Sequence, residues 1–304
     1  MRRVVFLFGC LLLALPAAAQ QNGLEAKVGK ARISVTALRD DVLRIRIGPD
    51  GALPPDESWA ALPEPRHASV PVRQTGKWSF ETQSLMVKID PDSGALSVAD
   101  KSGRSILSGL DGWRKDGEGF RVDLRLDDET HIFGLGDKMG PLDRRGRLFS
   151  LWNTDAFRFQ ESTDPLYKSI PFFLGLEKGK AFGLFLDNSW RSVFDFGASH
   201  PDQLSFGADN GPIDYYLFAG PDPKAVLEAY GWLTGTPPLP PLWAFGFQQS
   251  HFGYQSGQVV RDIAERMRRD KIPADVMWFD INVLDRNRAF TTDEARFPDF
   301  PKLV

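Results

Sequence analysis

Two aspartates stand where a carboxylate could do chemistry. Asp280 closes the apolar run Met277-Trp278-Phe279-Asp280-Ile281, and in a β/α barrel the C-terminal end of a strand is the rim at which substrate is handled. The other reading of such a residue is an aspartate that caps a turn. Asp155, in Leu151-Trp152-Asn153-Thr154-Asp155, follows an alternating strand and opens a loop rich in Phe and Gln. Its local sequence favours a solvated turn residue over a pocket carboxylate. Other chemistries are poorly supplied. Phe133-Gly134-Leu135-Gly136-Asp137-Lys138-Met139-Gly140 approaches a dinucleotide fingerprint, but its spacing is wrong, and Pro141 and Gly146 deny it the helix whose N-terminus would hold a pyrophosphate. A glycine turn inside a β domain is the expectation there. The chain has no Walker loop, no zinc-ligand spacing and no serine on a nucleophile elbow. With His 4 and Cys 1, the residues imply neither a metal nor an organic cofactor.

The elements that must position these carboxylates divide into two kinds. From Lys30 to about Ala219 apolar residues recur with period two, as in Ile33, Val35, Ala37, then Leu43, Ile45, Ile47, then Phe120, Val122, Leu124, Leu126. These are half-buried strands. Others are expected over 78–82, 85–90, 95–99, 148–152, 169–176, 181–186, 191–196 and 213–218, separated by turn signals such as Asp92-Ser93-Gly94 and Asp209-Asn210-Gly211. Many short strands without strong helices between them predict an antiparallel sandwich. Ala52 to Pro71 is expected to be a long surface loop. A helix opens at Asp222-Pro223, an N-cap followed by proline, and stops at Gly235 as a connector.

Pro237-Pro238-Leu239-Pro240-Pro241 then makes a stiff extended joint. Beyond it the pattern changes to an apolar strand over 242–247, an amphipathic helix over 258–269 with Val259, Ile263 and Met267 on one face, and a second apolar strand over 276–281. Strand, helix, strand is a βαβ unit with a parallel pair and a right-handed crossover. The stretch from Leu242 to Val304 is far short of the roughly 250 residues of a closed β/α barrel, so it is expected to be the opening of such a domain. The resulting division is 1–19 signal peptide, 20–219 sandwich, 220–241 connector and linker, and 242–304 the start of a barrel.

Composition narrows the remaining classes. Lys+Arg 37 against Asp+Glu 40 gives a formal charge of −3 without a basic block, which removes the electrostatic basis for nucleic-acid binding. Arg2 and Arg3 precede an apolar run to Pro16, and Ala17-Ala18-Ala19 follows. This is the form of a cleaved export signal, too short to span a bilayer. It contains Cys10, so the mature chain would have no cysteine. The expected location is the periplasm or the medium, with no membrane attachment after cleavage.

In the order Phe133-Gly134-Leu135-Gly136-Asp137-Lys138, Pro141-Leu142-Asp143-Arg144-Arg145-Gly146, Leu151-Trp152-Asn153-Thr154-Asp155, Asp164-Pro165-Leu166-Tyr167-Lys168-Ser169-Ile170-Pro171-Phe172, Pro240-Pro241-Leu242-Trp243, Trp278-Phe279-Asp280-Ile281, Phe290-Thr291 and Phe297-Pro298-Asp299, the chain resembles the N-terminal part of glycoside hydrolase family 31, the α-glucosidase family. The resemblance runs over residues 120 to 304. It implies an all-β, mutarotase-like sandwich followed by the first βαβ unit of a (β/α)8 catalytic barrel that this chain does not complete.

The resemblance also implies an activity, the hydrolysis of terminal α-linked glucose from oligosaccharides with retention. By match to the family motifs, Asp155 is the contribution of a sandwich loop to the sugar pocket, Asp280 and its neighbour Ile281 come from the barrel, and Phe252 in His251-Phe252-Gly253-Tyr254 is an aromatic lining of the same pocket. Ionised carboxylates suit sugar hydroxyls because they offer several acceptor sites and charge-assisted bonds. The implied partner is an oligosaccharide or α-glucoside. Retaining glycosidases need a nucleophilic and an acid/base carboxylate about 5–5.5 Å apart. In this family both come from later barrel strands, so none is expected before Val304. The chain departs from the family pattern at Asn282, where many relatives carry a second Asp, and at Val283-Leu284, where Tyr-Met is usual. Related activities on α-xylosides, α-galactosides or sulfoquinovosides share the scaffold. A carbohydrate-binding sandwich without catalytic function is the reading from a different class.

Overall fold

The computed structural model describes residues 22–304. The export-signal segment and Cys10 lie outside the described residues. These fall into two compact units, one ending at Thr236 and one running from Pro237 to Val304.

The first unit opens with β1 (Gly23–Val28), β2 (Ala31–Arg39) and β3 (Val42–Gly48), followed by a single helical turn α1 (Pro63–Arg66). Six strands come next: β4 (Arg73–Gly76), β5 (Ser79–Glu81), β6 (Leu85–Ile89), β7 (Leu96–Asp100), β8 (Ser105–Asp116) and β9 (Gly119–Arg125). The unit closes with β10 (His131–Gly136), β11 (Leu148–Leu151), β12 (Ser169–Glu177), β13 (Lys180–Leu186), β14 (Ser192–Phe196), β15 (Gln203–Ala208), β16 (Ile213–Gly220) and α2 (Pro223–Thr234). Seven strands form one sheet in the order β1-β2-β3-β16-β13-β12-β10, and nine form the other, β11-β14-β15-β9-β8-β7-β6-β5-β4. Every pairing within them is antiparallel. This is the expected sandwich.

The main core lies between the sheets. Ile33, Val35, Leu43, Ile45, Leu184 and Leu217 of the first sheet meet Phe120, Val122, Leu124, Phe194 and Phe206 of the second. The seven-stranded sheet is also covered on its outer face, where Val42, Phe172, Phe185, Tyr216 and Phe218 pack against Val226, Ala229 and Leu233 of α2. Burial on both faces explains why Ile213-Asp214-Tyr215-Tyr216-Leu217-Phe218 lacks alternation. Helix α2 starts and stops as its sequence dictates: the Asp222 carboxylate accepts from the Ala225 amide at 3.0 Å, and Gly235 ends it at φ 83°.

The loop between β3 and β4 runs over the surface and is anchored at Asp56 and Leu62. The buried Arg44 forks onto Asp214 at 3.1 and 2.6 Å and also reaches Asp56 at 2.9 Å, while the Leu62 amide donates to Leu233 O at 2.8 Å. Burial lowers the pKa of Arg44, but the bond and field of Asp214 outweigh it and hold the guanidinium above its ordinary value.

Two local expectations are corrected. In place of a glycine turn, residues 133–136 of the 133–140 string belong to an edge strand, β10, with a bulge between Gly134 and Gly136 where it pairs with β12. Gly134 has φ 121° and Gly136 φ 79°, and a Cβ on Gly136 would meet Lys168 O at 2.5 Å. Glycine here permits a bulge and a close backbone approach rather than a chain reversal.

The second correction lies in the second unit. Residues 242–247 are not a strand; Leu242–Phe245 is a 3-10 turn, with the Ala244 amide bonded to Pro241 O at 2.9 Å and that of Gly246 to Trp243 O at 3.1 Å. Entering from Pro240-Pro241, the backbone pairs with itself and leaves the ladder to the next residues, β17 (Gln248–Ser250). Helix α3 (Gly257–Arg269) follows, its first turn capped by Ser256, and β18 (Val276–Trp278) lies parallel to β17. Ile263 and Met267 are half-buried as expected, but Val260 rather than Val259 is the buried valine of α3. A short terminal turn, α4 (Phe300–Leu303), ends the unit. Its core is aromatic: Phe279 lies 6.3, 6.1 and 5.2 Å from the rings of Tyr254, Phe297 and Phe300. Among the described residues no helix is long and apolar enough to cross a membrane.

Candidate functional site

The sandwich unit presents Asp155 on an exposed loop, residues 152–168, between β11 and β12. Its two ends are tied together. The Thr154 amide donates to Leu166 O at 3.0 Å, the Ser169 amide to Asn153 Oδ1 at 2.9 Å, and the Asp137 amide to Lys168 O at 2.9 Å. Leu166 is buried beneath it, and Phe159 and Tyr167 meet edge to face at 6.1 Å.

At the foot of the loop a lysine is buried. Lys138 Nζ, on a side chain 1% exposed, donates to the Asp164 carboxylate and to Ser150 O at 2.6 Å. The other oxygen of Asp164 accepts from the Ser150 amide at 2.5 Å. Burial pushes the Lys138 ammonium below the ordinary lysine value, and Asp164 pulls in the opposite direction. A charge so placed costs free energy unless it is paired and hydrogen-bonded. The pair therefore fixes the last strand residues before the loop to the residue three positions before its Tyr167.

The same segment is organised around Phe149, whose ring has Lys138, Arg144 and Arg147 at 5.7, 5.7 and 4.8 Å. Arg144 is buried without a carboxylate partner; it donates to the carbonyls of Pro141 at 2.7 Å, Lys138 at 3.3 Å and Met139 at 3.4 Å. Asp143 accepts from the amides of Ile132 and Arg145, both at 3.0 Å, and bonds His131 Nδ1 at 2.7 Å. The strings around 133–147 and 164–169 thus form the scaffold of the Asp155 loop. Sequence reasoning quoted both strings but gave no role to Lys138 or Asp164. No local signal marked them, because Lys138 follows glycines that read as a turn and its partner lies 26 residues on.

In the second unit the parallel register places two further candidates. Ser250 is opposite Trp278, so the chain leaves both strands at the same C-terminal edge, toward Phe252 on one side and Asp280 on the other. Trp278 Nε1 donates to Gln248 Oε1 at 2.6 Å and locks the pair. Phe252 is 71% exposed and Ile281 43%. Asp280 stands two residues beyond the last paired residue, partly buried. Its Oδ1 accepts from the Ile281 amide at 2.6 Å and its carbonyl from the Val283 amide at 3.1 Å. Asp280 is therefore a turn cap as well as a rim carboxylate, and one oxygen is committed to the cap. Asn282 Oδ1 is buried without a partner. Among the described residues no group of three or more His, Cys, Asp or Glu side chains is arranged to hold a metal ion.

Comparison with known proteins gives matches to both units. Residues 32–195 match the glycosyl hydrolase 31 N-terminal galactose mutarotase-like domain, and residues 237–304 match the glycosyl hydrolases family 31 TIM-barrel domain. The chain is 37% identical over 276 residues to alpha-glucosidase 2 of Bacillus thermoamyloliquefaciens, covering 90% of this chain and 35% of that protein. It is 38% identical over 177 residues to lysosomal alpha-glucosidase of Rattus norvegicus, covering 57% of this chain and 18% of that one. A Flavobacterium johnsoniae GH31 dextranase complexed with isomaltotriose superposes with TM-score 0.84 at 30% identity, covering 93% of this chain and 35% of that chain. The chain spans about a third or less of these relatives.

Proposed function

This chain belongs to glycosyl hydrolase family 31, and on that premise we propose that it forms the N-terminal part of an exported, retaining α-glucosidase that removes terminal α-linked glucose from oligosaccharides. The observation that carries the reading is the parallel pair β17 and β18, which sends Phe252 and Asp280 out from one strand-end edge. That edge is where barrels of this kind handle substrate. Relatives named as α-glucosidases and a dextranase bound to isomaltotriose support the substrate class.

In this reading Asp155 and Asp280 accept hydrogen bonds from hydroxyls of the non-reducing glucose, and Phe252 and Ile281 present apolar surface to the ring face. Binding energy of this kind positions the anomeric carbon for attack. The attack itself needs two carboxylates about 5–5.5 Å apart, one to form the glycosyl-enzyme and one to protonate the leaving oxygen and then activate water. Those are assigned to barrel strands beyond Val304. Alone, the 304-residue chain does not turn over.

The test is hydrolysis of maltose and of a chromogenic α-glucoside by a protein extended to the length of the relatives. Release of glucose with retained configuration is expected. Absence of hydrolysis of every α-glycoside tried, α-xylosides, α-galactosides and sulfoquinovosides included, would contradict the reading.

A further inference from the structure

The sandwich unit contains a cleft of about 620 Å³ beside the base of the Asp155 loop, whose first residues, Trp152 and Asn153, line one side of it. Its size falls within the range of small-molecule sites. Three tryptophans line it, Trp59, Trp152 and Trp190, with relative exposures of 100%, 46% and 52%. Large aromatic side chains gathered on one concavity are unlike the single exposed apolar residues that any surface carries.

Two of these indoles are held in place. The Trp190 amide donates to Asn188 Oδ1 at 2.8 Å, and the Asn188 amide group donates to the carbonyls of Asn210 at 2.9 Å and Pro212 at 3.0 Å. The indole lies across Gly211, where an added Cβ would come within 2.6 Å of it. Trp152 has the Arg191 guanidinium 5.5 Å from its ring centroid. Trp59 sits on the loop between β3 and β4, one residue after Ser58, whose hydroxyl donates to Asp187 Oδ1 at 3.0 Å and accepts from the Ala61 amide at 2.8 Å.

The remaining lining decides the class of ligand. Glu57 and Asp187 are its only charged residues, and no lysine or arginine lines it. An anionic ligand would find repulsion from both, with the Arg191 guanidinium turned to the Trp152 ring rather than lining the cleft. A ligand with apolar faces and hydroxyl edges would find aromatic faces and oxygen acceptors together, which is how sites of this kind combine affinity with orientation. A pyranose ring has both.

We propose that the cleft bounded by Trp59, Trp152 and Trp190 binds a neutral sugar unit of an α-glucan oligosaccharide. The inference rests on the carbohydrate reading of the chain but not on Asp155. Titration of the 304-residue chain with maltotriose or isomaltotriose, followed by tryptophan fluorescence and calorimetry, should show saturable binding. Trp190→Ala should weaken it about tenfold, within the worth of one aromatic contact. Trp59→Ala, at a fully exposed position, should weaken it similarly. No saturable binding, or binding undiminished in both tryptophan variants, overturns the proposal. Hydrolysis by the extended protein tests the assignment of the Asp155 loop separately.

Discussion

Lys138 and Asp164, 26 residues apart in sequence, form an ion pair with a buried lysine and a partly exposed aspartate that closes the base of the loop carrying Asp155, with Ser150 bonded to both partners. The lysine lies just past the bulge of β10 and the aspartate just before β12, so the pair joins two neighbouring strands at the point where their ladder ends. Its effect is to limit where a loop of otherwise exposed residues can go.

Lys138→Met should remove this restraint. The charge left behind, Asp164, keeps access to solvent, so the cost lies between that of a surface pair and that of a buried one, about 1–2 kcal/mol. Hydrogen exchange should show the amides of Thr154 and Ser169 losing protection more than those of β13 or β16. Equal protection of the loop in the variant and the parent would show that the pair does not hold it.

Asp187 should make the sandwich less stable as pH rises. Burial pushes its carboxyl up to about 6, with Asp214 adding to the rise and Ser58, Arg44 and Arg66 opposing it. The folded state holds this proton more tightly than the unfolded chain. The stabilisation is complete below the unfolded pKa of 3.8 and is lost as pH passes through about 6. That amounts to about 3 kcal/mol. Asp187→Asn cannot lose it, so the stability of the variant relative to the parent should rise by about that amount between pH 4 and pH 7.5 in urea unfolding. A difference independent of pH would contradict the assignment. Below pH 4 the opposite slope dominates, because Asp100, held down to about 2 first by Ser102 and then by Arg104, loses its stabilisation on protonation.

Gly136→Ala should destabilise the sandwich by about 1–3 kcal/mol, since the residue has φ 79° and the new Cβ would press on Lys168 O. The melting temperature should fall by several degrees, whereas Gly103→Ala, which meets no atom, should suffer only the backbone strain of its own positive φ. Equal losses at the two sites would remove the steric part of the explanation.

The strands legible in the sequence were those with one buried face, where β2 alternates inward and outward along Ile33, Val35 and Ala37. Strand β10 was hidden because Gly134 and Gly136 look like turn residues until a partner strand supplies the reason for a bulge. Strand β17 was hidden because Gln248-Gln249-Ser250 is polar, while the apolar Leu242-Trp243-Ala244-Phe245 beside it forms a tight turn. At the site, Asp280 was legible as a carboxylate at a strand end, with a turn cap as its other reading, and the structure shows that cap. Asp155, which local sequence favoured as a solvated turn residue, was reached through family strings whose context is long-range. Lys138, Asp164 and the tryptophans at 59 and 190 could not be read locally, since each takes its role from residues far along the chain.

Replacing Asp280 separates positioning from chemistry. In the extended protein, Asp280→Ala should lower kcat/KM for maltose about 10–100-fold, the worth of one or two hydrogen bonds to a charged group. The configuration of the released glucose should not change. Complete loss of activity together with rescue by an external nucleophile such as azide would make Asp280 the nucleophile instead.

The most direct measurement is turnover of a chromogenic α-glucoside by the purified 304-residue chain beside the protein extended to the length of its relatives. The expected result is hydrolysis by the extended protein and none above background by the 304-residue chain. Hydrolysis by the shorter chain, abolished by Asp280→Ala or Asp155→Ala, would contradict the assignment of bond cleavage to strands beyond Val304.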